Sequence, residues 1–104
     1  MATESHTFAI DGEMTIYRAA ELKPLLLGAL DAAQALELSL AGVTELDTAG
    51  LQLLILAKEA ALAGGRSLRL VDHSAAVLEV FELLGMSAYF GDAVLVAAAP
   101  EAAR

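Results

Sequence analysis

The residues with the most chemical promise are Asp47 and Thr48, within the stretch Gly42–Leu54, GVTELDTAGLQLL. At the junction between a polar turn and an apolar helix, an oxygen-bearing side chain accepts hydrogen bonds from N–H groups that a first helical turn leaves unpaired, and Thr48 is the expected N-cap. Gly50 falls in that first turn, where glycine costs about 0.5–1 kcal/mol relative to alanine. Close approach of another backbone or of a partner would explain it, as would simple tolerance near a helix end. Glu45 stands two residues before Asp47 and would face the same way on an extended segment, but nothing marks either carboxylate as a general acid or base. Asp72-His73-Ser74 holds the three residue types of a hydrolase triad. Consecutive residues point in different directions and cannot relay a proton, so the spacing predicts a strand-to-helix turn capped by Ser74. His6 and His73 lie far apart without matching carboxylate spacing, and no cysteine is present, so no metal site is expected. Neither a GxGxxG nor a GxxxxGK[ST] loop occurs, which argues against dinucleotide and P-loop chemistry.

The elements that must position these residues follow from periodicity. Thr7–Ile10 and Glu13–Tyr17 flank Asp11-Gly12, a dipeptide suited to a tight two-residue turn, and predict a hairpin burying Phe8, Ile10, Met14 and Ile16. From Ala19 to Ala33, Leu22, Leu25, Leu26, Ala29, Leu30 and Ala33 form the stripe of an amphipathic helix, with an irregular start or kink at Pro24. Ala35–Leu40 alternates with leucine at 36, 38 and 40, and Ser67–Val71 repeats this with Leu68 and Leu70, as in strands with one buried face. Between them Ala49–Ala63 reads as a helix closed by Gly64-Gly65, apolar on so many sides that its flanks either pack between helices or form a binding patch. Ala75–Leu84 reads as a third helix with Val77, Phe81 and Leu84 inward and Gly85 at its end, and Val94–Ala97 as a last strand. Strands that alternate apolar and polar residues, rather than running apolar throughout, favour a mixed sheet with helices mainly on one face over a doubly wound sheet.

A chain of 104 residues makes one domain, 1–104, with its core at about 7–98. Its formal charge of −8 disfavours nucleic acid and anionic lipid as partners. The 58% hydrophobic content reflects 23 Ala and 20 Leu rather than any apolar run of the ~18 residues a membrane-spanning helix needs. With a polar Met1–His6 and no leader pattern, a cytoplasmic location is expected.

The run from Leu36 to Phe90 resembles the STAS family of bacterial anti-sigma factor antagonists. A hydrophobic strand leads into VTELDTAGLQLL, then GGRSLRLV, then HSAAVLEVFELLGM, and the expected hairpin and first helix fit as well, so the resemblance covers nearly the whole chain. The resemblance implies an α/β fold: one small domain with a mixed four- to five-stranded sheet and helices mainly on one face. It implies a non-enzymatic binding module needing no cofactor, with the hydroxyl after the motif aspartate, here Thr48, as the phosphorylation site. The implied partners are an anti-sigma factor that is itself a serine/threonine kinase of the histidine-kinase-like ATPase type, and an opposing phosphatase. The implied binding residues are Glu45, Asp47, Thr48, Ala49, Gly50 and Leu51. Ser39 stands where many members carry an acidic or amide residue, and Thr48-Ala49 where antagonists often have Ser-Ser. The D-T-A-G-L variant is also similar to STAS proteins of chemotaxis-like signalling and to the small STAS subunit of a lipid-asymmetry transporter, where the domain braces an ABC ATPase.

Overall fold

The computed structural model describes residues 5–90, in the order β1 (Ser5–Met14), α1 (Ala19–Asp31), β2 (Ala35–Leu46), α2 (Thr48–Ala63), β3 (Ser67–Val71), α3 (Ala75–Leu84) and α4 (Met86–Phe90). Among the described residues the sheet has three strands, ordered β1-β2-β3, and both pairings are parallel. The crossovers through α1 and α2 step the same way along the sheet, and the right-handed rule for such crossovers puts both helices on one face. Burial agrees. Leu36, Leu38 and Leu40 of β2 and Leu68 and Leu70 of β3 are buried against Leu22, Leu26, Leu30, Leu54, Ala57, Val77 and Phe81. On the opposite face Glu37 and Arg69 lie opposite each other in register and form an ion pair of 3.2 Å.

The expected α/β class and one-sided helix layer hold, but the sheet differs in its details. Asp11-Gly12 does not reverse the chain; β1 runs straight through it, so the expected hairpin and the antiparallel pair that made the sheet mixed are replaced by one strand. Phe8, Ile10, Gly12 and Met14 share one parity, so a continuous strand already keeps them on one face. Gly12 takes φ +87° at a register irregularity, where β2 carries one extra residue against β1. The Arg18 guanidinium binds the carbonyls of Asp11 (2.7 Å) and Glu13 (3.0 Å) on either side of it. His6, just ahead of the core expected from about residue 7, lies in β1 opposite Leu36. Ile16, expected in the core, is 67% exposed. The expected last strand, Val94–Ala97, lies outside the described residues.

The helices begin and end for recognisable reasons. α1 runs through Pro24 from an irregular first turn, in which the Arg18 carbonyl accepts from both Glu21 and Leu22. α2 ends in a Schellman arrangement: Gly65 takes φ +69° and donates to the Leu62 carbonyl, and the Arg66 N–H reaches the Ala61 carbonyl. Leu51, Leu53, Leu54, Ala57 and Ala61 of α2 are all buried because the helix packs on α1 as well as on the sheet. Ser74 caps α3 by accepting the Val77 N–H, as its type predicts. Leu84, expected inward, is 56% exposed, because Val77 and Phe81 fill the core-facing stripe.

Two glycines in regular elements separate by their surroundings. A Cβ on Gly28 of α1 meets nothing within 4 Å, so Gly28→Ala should gain about 0.5–1 kcal/mol from reduced freedom of the unfolded chain. Gly12→Ala should lose about 1–3 kcal/mol, since its φ is strained for any L side chain. Thermal denaturation should move the two midpoints in opposite directions.

Candidate functional site

The polar residues singled out from the sequence meet where β2 ends and α2 begins. Asp47 has an extended backbone (φ −115°, ψ −173°) and is the N-cap of α2. Its Oδ1 accepts the Gly50 N–H at 3.0 Å, and its Oδ2 accepts the Ile16 N–H at 3.0 Å from the turn that follows β1. Its own N–H donates to the Met14 carbonyl at 3.3 Å. The cap is therefore Asp47 rather than the expected Thr48, which is the first helical residue with its side chain exposed. The carboxylate wins the position because its two oxygens serve two chain segments at once, which one hydroxyl oxygen serves less well.

Gly50 has its explanation in the same junction. A Cβ there would lie 2.0 Å from the Met14 carbonyl oxygen and 2.8 Å from a Leu46 methyl, so the first turn of α2 rests directly on the end of β1. The glycine is required by close approach of another backbone. The N–H bonds from Gly50 first, and then from Ile16, hold the Asp47 carboxyl below its ordinary pKa of 3.8.

Of the remaining candidate residues, Glu45 is exposed, Ala49 is half-buried, and Gly50 and Leu51 are buried. Leu51 forms one wall of a groove of about 230 Å³ that opens beside Thr48. Leu46, Thr48 and Leu51 line one side and Val80, Leu83 and Leu84 of α3 the other. Across the Asp47 bridge, Ile16 and Tyr17 are 67% and 88% exposed. Sequence reasoning did not find the α3 wall. The available signal was the pair Leu83-Leu84, because one core-facing stripe cannot bury two consecutive leucines together with Phe81.

Asp72-His73-Ser74 forms no relay. Asp72 sits at φ +56° with its side chain exposed, His73 is buried with its ring edge-on to Phe81 at 5.4 Å, and Ser74 caps α3.

A family model described as "Mlab, STAS domain" matches residues 1–97. No curated protein matches the chain in sequence. Among solved structures, a Thermotoga maritima protein described as an anti-sigma factor antagonist is similar with a TM-score of 0.70 at 18% identity, over 83% of this chain and 77% of that one. The anti-sigma factor antagonist SpoIIAA in its unphosphorylated form gives 0.66 at 18% identity, over 89% and 84%. The STAS domain of a SulP transporter from Vibrio cholerae gives 0.67 at 18% identity, over 93% and 77%. Identities this low establish a shared fold.

The junction makes two testable demands. Gly50→Ala should destabilise the domain by about 3 kcal/mol, the upper end for overpacking, since the obstructing atom is backbone; denaturant titration reads this directly. The depressed pKa of Asp47 implies a stability contribution that is fully present above about pH 4 and lost as pH falls through the lower, folded-state pKa. The stability difference between the native chain and Asp47→Ala should therefore be constant near neutrality and shrink on acidification below that range.

Proposed function

The chain belongs to the STAS domain family, and from that membership we propose that it is a non-enzymatic, cytoplasmic protein-binding module whose partner docks around Thr48 and is released when Thr48 is phosphorylated. The observation that carries this reading is the placement of Thr48: an exposed hydroxyl on the first residue of α2, fixed by a capped helix end and bordering an apolar groove. Glu45, Asp47, Thr48 and Ala49 form the contact surface, while Gly50 and Leu51 set its shape from beneath. The partner in this reading is an anti-sigma factor with serine/threonine kinase activity, opposed by a phosphatase, as the likeness to anti-sigma factor antagonists suggests.

The site's electrostatics favour a switch that acts on the partner and leaves the fold intact. A phosphothreonine adds about −1.5 to −2 charges. The macrodipole of α2 would favour it, but Asp47 already occupies the Gly50 N–H, and Glu45 and Asp47 supply like charge nearby. The phosphate is therefore directed outward, over the groove, where a docked partner would have to desolvate it.

A second reading, implied by the likeness of the D-T-A-G-L variant to such proteins, makes the chain a constitutive STAS subunit of a lipid-transport ABC ATPase or of a chemotaxis-like array. The two readings differ in the effect of charge at position 48. Under phosphorylation gating, kinase and ATP should add one phosphate to the native chain and none to Thr48→Ala, and Thr48→Glu should weaken partner binding at least tenfold, or about 1.4 kcal/mol. Retention of an ATPase partner by Thr48→Glu at native affinity would instead establish the constitutive reading. Co-purification of tagged variants followed by mass spectrometry measures both outcomes.

A further inference from the structure

The α3 wall of the groove carries information about the partner's chemistry. Val80, Leu83 and Leu84 stand at i, i+3 and i+4, a second apolar stripe on a helix whose first stripe, Val77 and Phe81, is already in the core. Leu83 and Leu84 are 71% and 56% exposed, while Leu51 opposite them is buried. A volume of about 230 Å³ is below the roughly 300–1,000 Å³ of small-molecule sites, and suits one or two aliphatic side chains. The residues nearest it in sequence carry negative charge, and the lysine of α2, Lys58, lies two turns beyond Leu51 and donates to the Phe90 carbonyl at 3.0 Å. Glu45 and Asp47 precede α2, Glu79 and Glu82 lie on α3, and neither the segment 40–57 nor the segment 70–90 contains a lysine or arginine. Glu79 is one helical turn before Leu83, which puts it at the groove's edge.

We propose that this groove seats an amphipathic helix of a partner protein, with leucine-type anchors at its centre and lysine or arginine on its flanks. This rests on the protein-binding reading above and specifies what the partner presents. Apolar anchors desolvated in the groove supply affinity, and basic flanks facing the acidic rim supply orientation and a salt-sensitive association rate. A second copy of this chain is a poor occupant, since it brings the same acidic rim and another net charge of −8.

The test uses the full chain and two synthetic amphipathic peptides of about four helical turns with identical leucine stripes, one with lysine and one with glutamate at all other positions. Fluorescence anisotropy gives affinity, and amide NMR shifts give the location. The lysine peptide should bind, with shifts centred on Leu51, Val80, Leu83 and Leu84, and Leu84→Ser and Leu83→Ser, both at exposed positions, should each weaken it about tenfold. The glutamate peptide should bind at least about a hundredfold more weakly. Shifts spread over the acidic surface and indifferent to both serine variants would overturn the proposal, as would equal binding of the two peptides or self-association through the same residues without peptide. Failure of Thr48 to accept phosphate would refute the gating reading without altering these results.

Discussion

One carboxylate joins the two halves of the sheet's working end. Asp47 gives one oxygen to Gly50 at the start of α2 and the other to Ile16, 31 residues earlier in the chain, just past β1. Its own N–H and the missing side chain of Gly50 bring α2 down onto the Met14 carbonyl. Three backbone segments are thereby fixed against one another within a few ångströms. Removal of the carboxylate leaves two N–H groups without their acceptor, and enlargement of Gly50 drives α2 off β1. The D-x-x-G spacing is thus a geometric requirement of the junction, independent of any partner.

This constraint would make Thr48 usable as a signal in the proposed reading. A hydroxyl on a frayed helix end would sample many orientations, and a partner would bear the entropy of ordering it. Here the residue before it is locked by two charge-assisted bonds and the residue two after it is buried against β1. The surface proposed for a partner is preorganised: an exposed hydroxyl, an acidic border and an adjacent groove whose far wall is supplied by α3. A charge added at such a point would change the surface while the backbone below it stays held, which suits the proposed role of recognition in one state and refusal in the other.

Much of this was legible in the residues. The leucines at 36, 38 and 40 gave the first half of β2 and its buried face, although the strand runs on to Leu46 through the expected polar turn; Ser74 gave the α3 cap and Gly64-Gly65 the end of α2, because each depends on local periodicity or local capping chemistry. The position of the helix-forming stretch after Asp47 also marked the junction at which the candidate residues meet. The errors have a common physical origin in contacts distant along the chain. Asp11-Gly12 has the composition of a hairpin turn, but Arg18 and the pairing with β2 hold it as an irregularity in a continuous strand. Thr48 is a good cap by type, but Asp47 also meets a second segment at Ile16 and prevails. Leu84 fits the α3 stripe by spacing, but Phe81, stacked on Phe90 at 5.4 Å, fills the interior and leaves Leu84 to the groove.

The central claim is that one carboxylate couples the β1 end to the α2 start, and amide hydrogen exchange at Ile16 and Gly50 tests it most directly. In the native chain both amides should be protected. In Asp47→Ala both should lose protection together, while amides in the middle of α2, such as that of Leu54, remain protected relative to global unfolding. Loss at Gly50 with Ile16 unchanged would reduce Asp47 to an ordinary helix cap, and unchanged protection at both would contradict the account.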